Sequence, residues 1–495
     1  MVRGRDLIQR GYPGGRIVGL AIEAVERASR SANESSPLED LVAVREAPES
    51  FLDDPRYADV AREWLRLRGV ERAEGEGGDA LREEPLPFEV FGEEMIEEGA
   101  RRQMREAMRL PVSVGGALMP DSHQGYGLPI GGVLATDGVV IPYAVGVDIA
   151  CRMRMTVFEV PAQVTDEKRA ELAEMLLRNT IFGAGGKYKP GRRGVEHEVL
   201  DDPAWEATPF LRKLKDTANA QLGTSGSGNH FVEWGAFEAL EDVALPSGRT
   251  VRGGERRLAL LSHSGSRGPG ARIADRYTKI AKSMHPSLAG DAANLAWLSL
   301  SCGEGAEYWL SMNLAGRFAA ANHAVIHEKL SRALRELLGG EEAVAWENHH
   351  NFSWREKVRR EGGDESEVIV HRKGATPAGP GVMGVIPGSM GDAGYVVRGK
   401  GNAPSLNSAS HGAGRLMSRR RAFETITDED LKAYLERKGV TLIGGSRDEA
   451  PQAYKRIEEV LAAQAELVDL VGSFTPAIVR MDEAAKPRWM KNKKR

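Results

Sequence analysis

Glycine-rich loops that alternate with short β-like runs dominate the chain from about residue 87 onward. Residues 131–136 and 139–141 are two such runs, and helical periodicity predicts helices over 166–178, 306–338 and 428–438. These elements follow neither a fixed repeat nor a strict βαβ alternation with a GxGxxG phosphate loop. We therefore expect one large mixed domain of the α+β class.

The first 85 residues differ in character from the rest. Pro13-Gly14-Gly15 precedes a helical pattern from Ile17 to Val25, and a second pattern runs from Tyr57 to Leu65. Residues 74–79 have the composition of a linker, and the chain ends in a basic run. We predict a helical extension over 1–85, a large mixed main domain over 86–482 and a basic tail over 483–495. Both a packing role and an RNA-contacting role stay open for the extension.

Composition limits the function classes. The chain has 495 residues, 41% hydrophobic and 28% charged, with a formal net charge of −4. A nucleic-acid site would therefore have to be a local patch on a mildly acidic body. Two cysteines, Cys151 and Cys302, cannot form a disulfide framework, and no apolar run approaches the roughly 18 residues of a membrane span. We expect a cytoplasmic protein without a membrane partner.

His411 lies in the string NSASHGAGR, which runs from Asn407 to Arg415. Three small residues, Gly412, Ala413 and Gly414, follow the histidine, so backbone amides there could approach a phosphate closely. Histidine can also hold a phosphoryl or nucleotidyl group covalently. A buried structural histidine in a glycine-rich turn explains the same string, and both interpretations stay open at this point.

Four further strings contain side chains that bind metals. Asp148 and Cys151 lie three residues apart, and imidazoles occur in GNH at His230, HSGSR at His263 and NHHN at His349 and His350. A mixed oxygen, nitrogen and sulfur set suits a borderline divalent ion such as manganese or zinc. The separations are too long for a zinc finger. The spacing alone is equally compatible with a metal centre and with structural histidines whose ring nitrogens are hydrogen-bonded.

Taken together, the strings resemble the RtcB-type RNA-splicing ligase family from about Val90 to Val479. The motifs that carry the resemblance occur in one order: MPDSHQGYGLPIGG from Met119, VGVDIAC from Val145, GSGNHFVE from Gly226, HSGSRG from His263, HHNF from His349, HRKGATPA from His371, PGSMG from Pro387 and SHGAGRLMSR from Ser410.

The resemblance implies a GTP- and manganese-dependent ligase that joins RNA 2′,3′-cyclic-phosphate or 3′-phosphate ends to 5′-hydroxyl ends, in tRNA splicing or RNA repair. It implies that His411 attacks the α-phosphorus of GTP. It further implies that two Mn²⁺ ions are held by Asp148, Cys151, His230, His263 and His350. The implied nucleotide contacts are Asn229, His230, Phe231, Glu233, His350, Asn351, Pro387, Gly388, Ser389, Met390, His411, Gly412, Ala413, Gly414 and Arg480. RNA and GTP are the expected partners, with an activating helper protein as a further candidate.

Three departures from the family pattern bear on these expectations. Ser410 replaces a cysteine before the guanylylated histidine, and the string PGSMGDAGY has Asp392 and Gly394 in place of two hydroxyl residues. The family's C-terminal lysine, which helps to hold guanine, is absent, and Arg480 is its candidate substitute. Selectivity for GTP over ATP therefore stays open.

Two other functions compete with ligation. The same residues could form a metal-dependent phosphodiesterase that opens cyclic phosphates without ligating, or a non-catalytic protein that binds RNA ends. Consumption of GTP through a histidine adduct would distinguish the ligase from both.

Overall fold

The computed structural model describes residues 6–7, 10–12, 16–28, 36–52, 54–65, 78–188, 195–301, 303–359 and 365–483. The chain divides into two compact units, Met1–Ala80 with Leu298–Glu307, and Leu81–Trp297 with Tyr308–Arg495. Predictions that concern Pro13-Gly14-Gly15, linker residues 74–77, Cys302 and tail residues 484–495 fall outside the described part. The predicted boundary after residue 85 stays a prediction.

The N-terminal part of the first unit, up to residue 65, is mainly helical where it is described. Its helices are Arg16–Ala28 (α1) and Pro37–Glu46 (α2), and residues 58–65 are also helical. Proline at the first turn of α2 fits the fixed φ of that position. Ile17, Ala21 and Tyr57 are buried in one apolar cluster, as helical periodicity requires. The helical character predicted for the extension is confirmed.

Helices and strands alternate from residue 89 to residue 483. The helices are Glu98–Met108 (α3), Pro142–Val145 (α4), Val164–Glu167 (α5), Arg169–Asn179 (α6), Pro209–Gln221 (α7), Arg267–Met284 (α8), Gly303–Leu338 (α9), Arg419–Thr425 (α10), Asp428–Lys438 (α11) and Ile457–Ala462 (α12). The strands are Glu89–Val90 (β1), Ser113–Tyr126 (β2), Leu128–Thr136 (β3), Val139–Val140 (β4), Arg152–Pro161 (β5), Phe231–Ala239 (β6), Val243–Ala244 (β7), Thr250–Val251 (β8), Arg256–Ser264 (β9), Leu298–Ser299 (β10), Glu342–His349 (β11), Asn351–Arg359 (β12), Glu365–Lys373 (β13), Ala375–Pro377 (β14), Met383–Ile386 (β15), Gly394–Gly399 (β16), Ser408–Ser410 (β17), Thr441–Gly445 (β18) and Val468–Glu483 (β19). The predicted α+β class is confirmed.

The predicted elements agree with this order. The two predicted strands correspond to β3 and β4, and the helix predicted over 428–438 is α11. Thr427 and Asp430 form a capping box at the start of α11, which satisfies backbone amides that the helix leaves unpaired. The helix predicted over 166–178 is broken between α5 and α6, where Lys168 leaves helical geometry.

A large, mainly antiparallel sheet forms the main scaffold. Its strand order is β11-β5-β9-β6-β19-β16-β15, and β18 pairs in parallel with β19. Inward residues of β5, β6 and β9, such as Met155, Phe237 and Leu261, form an apolar cluster with Phe474 of β19. Buried apolar side chains of this kind hold the sheet rigid.

A second sheet has the order β1-β2-β3-β13-β12. The pairing of β2 with β3 shifts register between Leu118 and His123, so the end of β2 departs from a regular ladder. Beside this sheet, β14 pairs with β17, and Ala375 faces Ser410 at the end of that ladder. The described helices include none with the length and apolar character that a bilayer crossing requires.

Candidate functional site

Four neighbouring strands of the large sheet end or begin at one edge. Cys151 directly precedes β5, His230 directly precedes β6, His263 lies next to the end of β9, and His350 follows β11. The ladder aligns these positions, since Met153 and Phe231 both pair with His263. Because neighbouring strands lie about 4.8 Å apart, side chains at the same edge of adjacent strands come within reach of one another.

A sharp turn brings Asp148 to the same edge. The amide of Cys151 donates to the Asp148 carbonyl at 3.1 Å, and Ala150 between them has a φ of 54°, in the left-handed region. Such a conformation is unfavourable for alanine and persists only where neighbouring contacts enforce it. Gly265 lies against the carboxylate, and a Cβ at that position would overlap it. The turn thus directs both Asp148 and Cys151 into the site.

The five predicted metal ligands form one cluster with Cys151 at its centre. The Cys151 Sγ lies 3.0 Å from His263 Nε2 and 3.4 Å from His230 Nε2. The His350 Nε2 is 3.3 Å from the His263 Nε2, and the His230 Nε2 is 2.8 Å from an Asp148 oxygen. Donor atoms therefore form two triads that share Cys151: Cys151, His263 and His350, and Asp148, Cys151 and His230.

Hydrogen bonds at the far side of two rings fix their orientation. His230 Nδ1 donates to the Ser225 carbonyl at 2.9 Å, and His263 Nδ1 donates to the Asn229 carbonyl at 3.1 Å. Arg267 also lies 3.2 Å from His230 Nδ1, but a nitrogen that donates to a carbonyl cannot accept from arginine, and the carbonyl contact is shorter. Both Nε2 atoms thus keep a lone pair toward the cluster, as a metal-binding histidine requires.

The electrostatics of the cluster fit a divalent cation. Burial lowers the pKa of His263 to about 3 and holds that of His350 well below its ordinary value, so both rings are neutral, the form that binds metals. Burial also raises the pKa of the Cys151 thiol. The cluster therefore offers a donor set that suits a borderline metal ion: neutral imidazoles, a carboxylate and a buried sulfur that face one another.

His411 lies beside this cluster and is held by a carboxylate. Its Nδ1 is 2.6 Å from Asp121 Oδ2, and the same oxygen accepts from the His411 amide at 3.2 Å. The His411 ring centroid is 4.8 Å from that of His350. Asp121 is fully buried, while the His411 side chain is 18% exposed. The free Nε2 of His411 is therefore available to a ligand that reaches the exposed part of the ring.

The surroundings of Asp121 keep its carboxyl group charged. Burial favours the neutral form, but His411 and Lys455 outweigh it and lower the pKa of Asp121. The Lys455 ammonium donates to the carbonyls of Pro120 and Ser122 at 2.8 and 2.9 Å, which fixes the backbone on both sides of Asp121. An ionised Asp121 selects the His411 tautomer with its proton on Nδ1.

A cavity of about 220 Å³ opens in front of His411. Predicted nucleotide contacts that line it are Asn229, Phe231, Glu233, His350, Pro387, Gly388, Ser389, Met390, His411, Gly412, Ala413 and Gly414. Glu233 is buried in this wall, and burial raises its pKa well above the usual value. The cavity thus combines apolar faces, small residues and a buried carboxyl group whose pKa is raised.

Three predicted nucleotide contacts do not line this cavity. His230 lies in the ligand cluster instead. The Asn351 amide group donates to the Asp148 carbonyl at 3.2 Å and accepts from the Gly374 amide at 2.9 Å, so both ends have backbone partners. Arg480 donates to the carbonyls of Leu176 and Thr180, at 2.6 and 3.3 Å, near the end of α6. The structure does not bring these last two side chains to the cavity.

Sequence reasoning missed several residues at the site. Asp121 lies inside the string from Met119 that carries the resemblance, but nothing in its spacing from His411, 290 residues later, indicates contact. Arg415, Arg419, Glu449 and Tyr454 also line the cavity. Glu449 is buried and accepts from both arginines and from the Tyr454 hydroxyl. Two of these residues do carry a signal in the sequence, since Arg415 directly follows the Gly412-Ala413-Gly414 loop and Arg419 begins a basic run of three arginines.

Comparisons with known proteins agree with the geometry. The sequence model of the family described as "tRNA-splicing ligase RtcB" matches residues 103–482. The chain is 33% identical to the RNA-splicing ligase RtcB of Escherichia coli K12, over 76% of this chain and 92% of that protein. It is 29% identical to the tRNA-splicing ligase RtcB of Thermococcus kodakarensis, over 84% and 98%. For the RNA-splicing ligase RtcB of Mycobacterium tuberculosis the identity is 32%, over 70% and 91%.

The family match spans the strand ends that carry the ligand cluster, the loop of His411 and the Asp121 that orients it. On this combined ground, the chain belongs to the RtcB family of RNA-splicing ligases.

Proposed function

We propose that this protein is a GTP-dependent RNA ligase that joins 2′,3′-cyclic-phosphate or 3′-phosphate ends to 5′-hydroxyl ends, in tRNA splicing or RNA repair. The observation that supports this most is the His411 ring, held at Nδ1 by Asp121 and directed into a cavity beside the ligand cluster. The names of the similar proteins, which are RNA- and tRNA-splicing ligases, favour RNA as the substrate.

His411 serves as the nucleophile toward GTP. With its proton on Nδ1 and shared with Asp121, the ring keeps a lone pair on Nε2. Attack of Nε2 on the α-phosphorus forms an N–P bond, breaks the α–β anhydride bond and releases pyrophosphate. The ring gains positive charge as the bond forms, and the ionised Asp121 stabilises that charge.

The cavity wall would hold the guanosine part of the nucleotide. Phe231 offers a flat apolar face, Ser389 a hydroxyl, and Gly412 to Gly414 open backbone beside His411. A Cβ at Gly414, which has a φ of 72°, would overlap the backbone of Asp121. Glycine at this position therefore lets the His411 loop pack against the residue that orients its ring.

Two Mn²⁺ ions would be held by the two triads, one by Asp148, Cys151 and His230 and the other by Cys151, His263 and His350. Bound there, divalent cations supply charge neutralisation for the triphosphate and polarise its phosphate groups. The protein contributes neutral imidazoles and a buried, water-poor surrounding in which such charges act strongly.

The RNA steps then follow from the chemistry of the adduct. Water opens the cyclic phosphate to a 3′-phosphate, and an oxygen of that phosphate takes GMP from His411 as the N–P bond breaks. The 5′-hydroxyl of the second RNA attacks the activated 3′-phosphorus, and GMP leaves. Guanylylation is needed because a free phosphate has no good leaving group.

The test is formation of the covalent adduct. Purified protein incubated with Mn²⁺ and GTP labelled in the α-phosphate should acquire an acid-labile label, and His411→Ala should acquire none. Ser410→Ala is the matched control, because the buried Ser410 hydroxyl has no hydrogen-bond partner in the structure. Absence of label in the wild type with any divalent metal would overturn the proposal. Opening of cyclic-phosphate RNA by a wild type that acquires no label would instead indicate a phosphodiesterase.

A further inference from the structure

Asn322 on α9 is fully buried and hydrogen-bonded to the loop that precedes β6. Its side-chain oxygen accepts from the amides of Gly223 and Thr224, at 2.7 and 3.2 Å. Its amide nitrogen donates to the Thr224 carbonyl at 3.0 Å and to the Ser264 hydroxyl at 3.1 Å. One side chain therefore fixes both the amide and the carbonyl groups of this loop.

The loop leads directly to a metal ligand. The Ser225 carbonyl accepts from His230 Nδ1 at 2.9 Å, and it also accepts from the Ser264 hydroxyl at 2.9 Å. Ser264, in turn, accepts from Asn322. The carbonyl that orients the His230 ring is thus held through Thr224 on one side and through Ser264 on the other, and Asn322 contacts both.

Among the contacts of the described residues, the other triad meets this loop at its far end, where the Asn229 carbonyl accepts from His263 Nδ1 at 3.1 Å. Asn322 contacts Gly223 and Thr224 at the near end of the loop instead. His263 lies within the ladders of β9 with β5 and β6. The backbone of His350 is held by the Cys151 carbonyl at 3.0 Å and by the Gly374 amide at 2.8 Å. Neither arrangement includes a hydrogen bond from Asn322 among the contacts that the described residues make.

We propose that Asn322 is a positioning residue for His230, and that it sets the affinity of the Asp148, Cys151 and His230 triad for a divalent cation while leaving the Cys151, His263 and His350 triad almost unchanged. This inference rests on the metal centre of the proposed function. Hydrogen-bonding partners that orient metal ligands commonly contribute about 10- to 100-fold in metal affinity.

The experiment is a metal titration of the full-length protein after removal of metal. Mn²⁺ binding is followed by electron paramagnetic resonance, and Co²⁺ binding by its thiolate charge-transfer absorption, which reports Cys151 directly. Asn322→Leu keeps the approximate size of the side chain and removes all four hydrogen bonds. His230→Ala and His350→Ala define the titrations expected when one triad or the other is lost.

Two controls on the same helix separate positioning from stability. Leu330→Ala deletes a fully buried side chain of another cluster and should lower the melting temperature without altering metal affinity. Ser331→Ala removes a buried hydroxyl that has no hydrogen-bond partner in the structure. Both should titrate like the wild type.

We expect Asn322→Leu to lose about 10- to 100-fold in affinity at the same site that His230→Ala weakens, and to lose less there than His230→Ala does. The double variant Asn322→Leu/His230→Ala should bind no more weakly than His230→Ala alone, since the two changes act through one ligand. A wild-type titration by Asn322→Leu, or equal loss at both sites, would overturn the inference and leave the proposed function standing. Failure of the wild type to bind either metal would overturn the metal centre itself.

Discussion

Two groups of buried histidines lie near β9, and they differ in what their second ring nitrogen does. His263, in the cluster at the strand ends, donates from Nδ1 to a carbonyl and directs Nε2 at Cys151. His327, on α9, contacts the Thr156 hydroxyl with Nδ1 and the Ser262 hydroxyl with Nε2, each at 2.8 Å. Burial lowers the pKa of both rings.

The comparison shows that burial and a lowered pKa do not identify a metal ligand. His327 has a hydroxyl partner for each nitrogen, which is the arrangement of a structural histidine. His371 resembles it, since its Nε2 accepts from the Ile141 amide at 2.8 Å and its Nδ1 donates to the Leu134 carbonyl at 3.1 Å. A metal-binding histidine is recognised instead by a second ring nitrogen that faces other metal-binding atoms.

The largest expected effect comes from replacing one histidine of each group with alanine. His263→Ala should lower ligation more than about 10³-fold, because loss of a ligand costs more than the 10- to 100-fold of an outer partner. His327→Ala should retain metal binding but lose about 2–4 kcal/mol of unfolding free energy, since it leaves a void and two unpaired hydroxyls.

Ligation assays, Mn²⁺ titration and urea unfolding of both variants measure these effects. Loss of metal by His327→Ala at temperatures where it is folded would show that the two groups of histidines are not separate.

Asp121→Asn should reduce labelling by GTP about 10²-fold, because an amide can hold the wrong His411 tautomer and cannot stabilise the developing charge. Metal affinity should stay unchanged, since Asp121 is not in either triad. Single-turnover labelling with saturating GTP is the measurement. A loss of Mn²⁺ affinity equal to the loss of labelling would contradict the orienting role.

A comparison of buried carboxyl groups gives a pH prediction. His411 and Lys455 outweigh burial and lower the pKa of Asp121, whereas burial raises that of Glu233. A folded state that keeps Glu233 protonated loses stability as the pH rises above the ordinary glutamate value, because only the unfolded chain releases that proton. The free energy of unfolding of Glu233→Gln should therefore rise relative to that of the wild type, by up to about 1.4 kcal/mol per pH unit, until the pH reaches the raised pKa of Glu233.

Urea unfolding between pH 5 and pH 8 tests the Glu233 prediction. Glu238→Gln, which replaces a more exposed carboxyl on the same strand, is the control. A constant difference between Glu233→Gln and the wild type across this range would show that Glu233 is ionised in the folded protein.

The smallest effect is expected at Arg480. Since its guanidinium binds carbonyls near the end of α6, Arg480→Ala should change GTP affinity by less than about 3-fold and lower stability by about 1 kcal/mol. Binding of a fluorescent GTP analogue and a melting curve are sufficient. A loss of affinity above 10-fold would restore Arg480 as a nucleotide contact.

Short-range patterns carried the fold prediction furthest. Short β-like runs between glycine-rich loops located β3 and β4, and helical periodicity located α11. The ligand strings were visible as motifs, but spacing could not place Cys151 against His263, 112 residues away, because only the sheet order does so. Side-chain direction was equally hidden: nothing around Asn351 or Arg480 in the sequence indicates that both contact the backbone.

The alignment of four strand ends has a consequence for how the sheet assembles. A slip of one residue between β5 and β9 would turn His263 to the opposite face and remove it from Cys151. Only correctly registered chains then possess a metal-binding edge, and any cation bound there stabilises that arrangement over its shifted alternatives by mass action. Besides its proposed role in the reaction of the folded protein, the metal centre would therefore favour the correct strand register during folding.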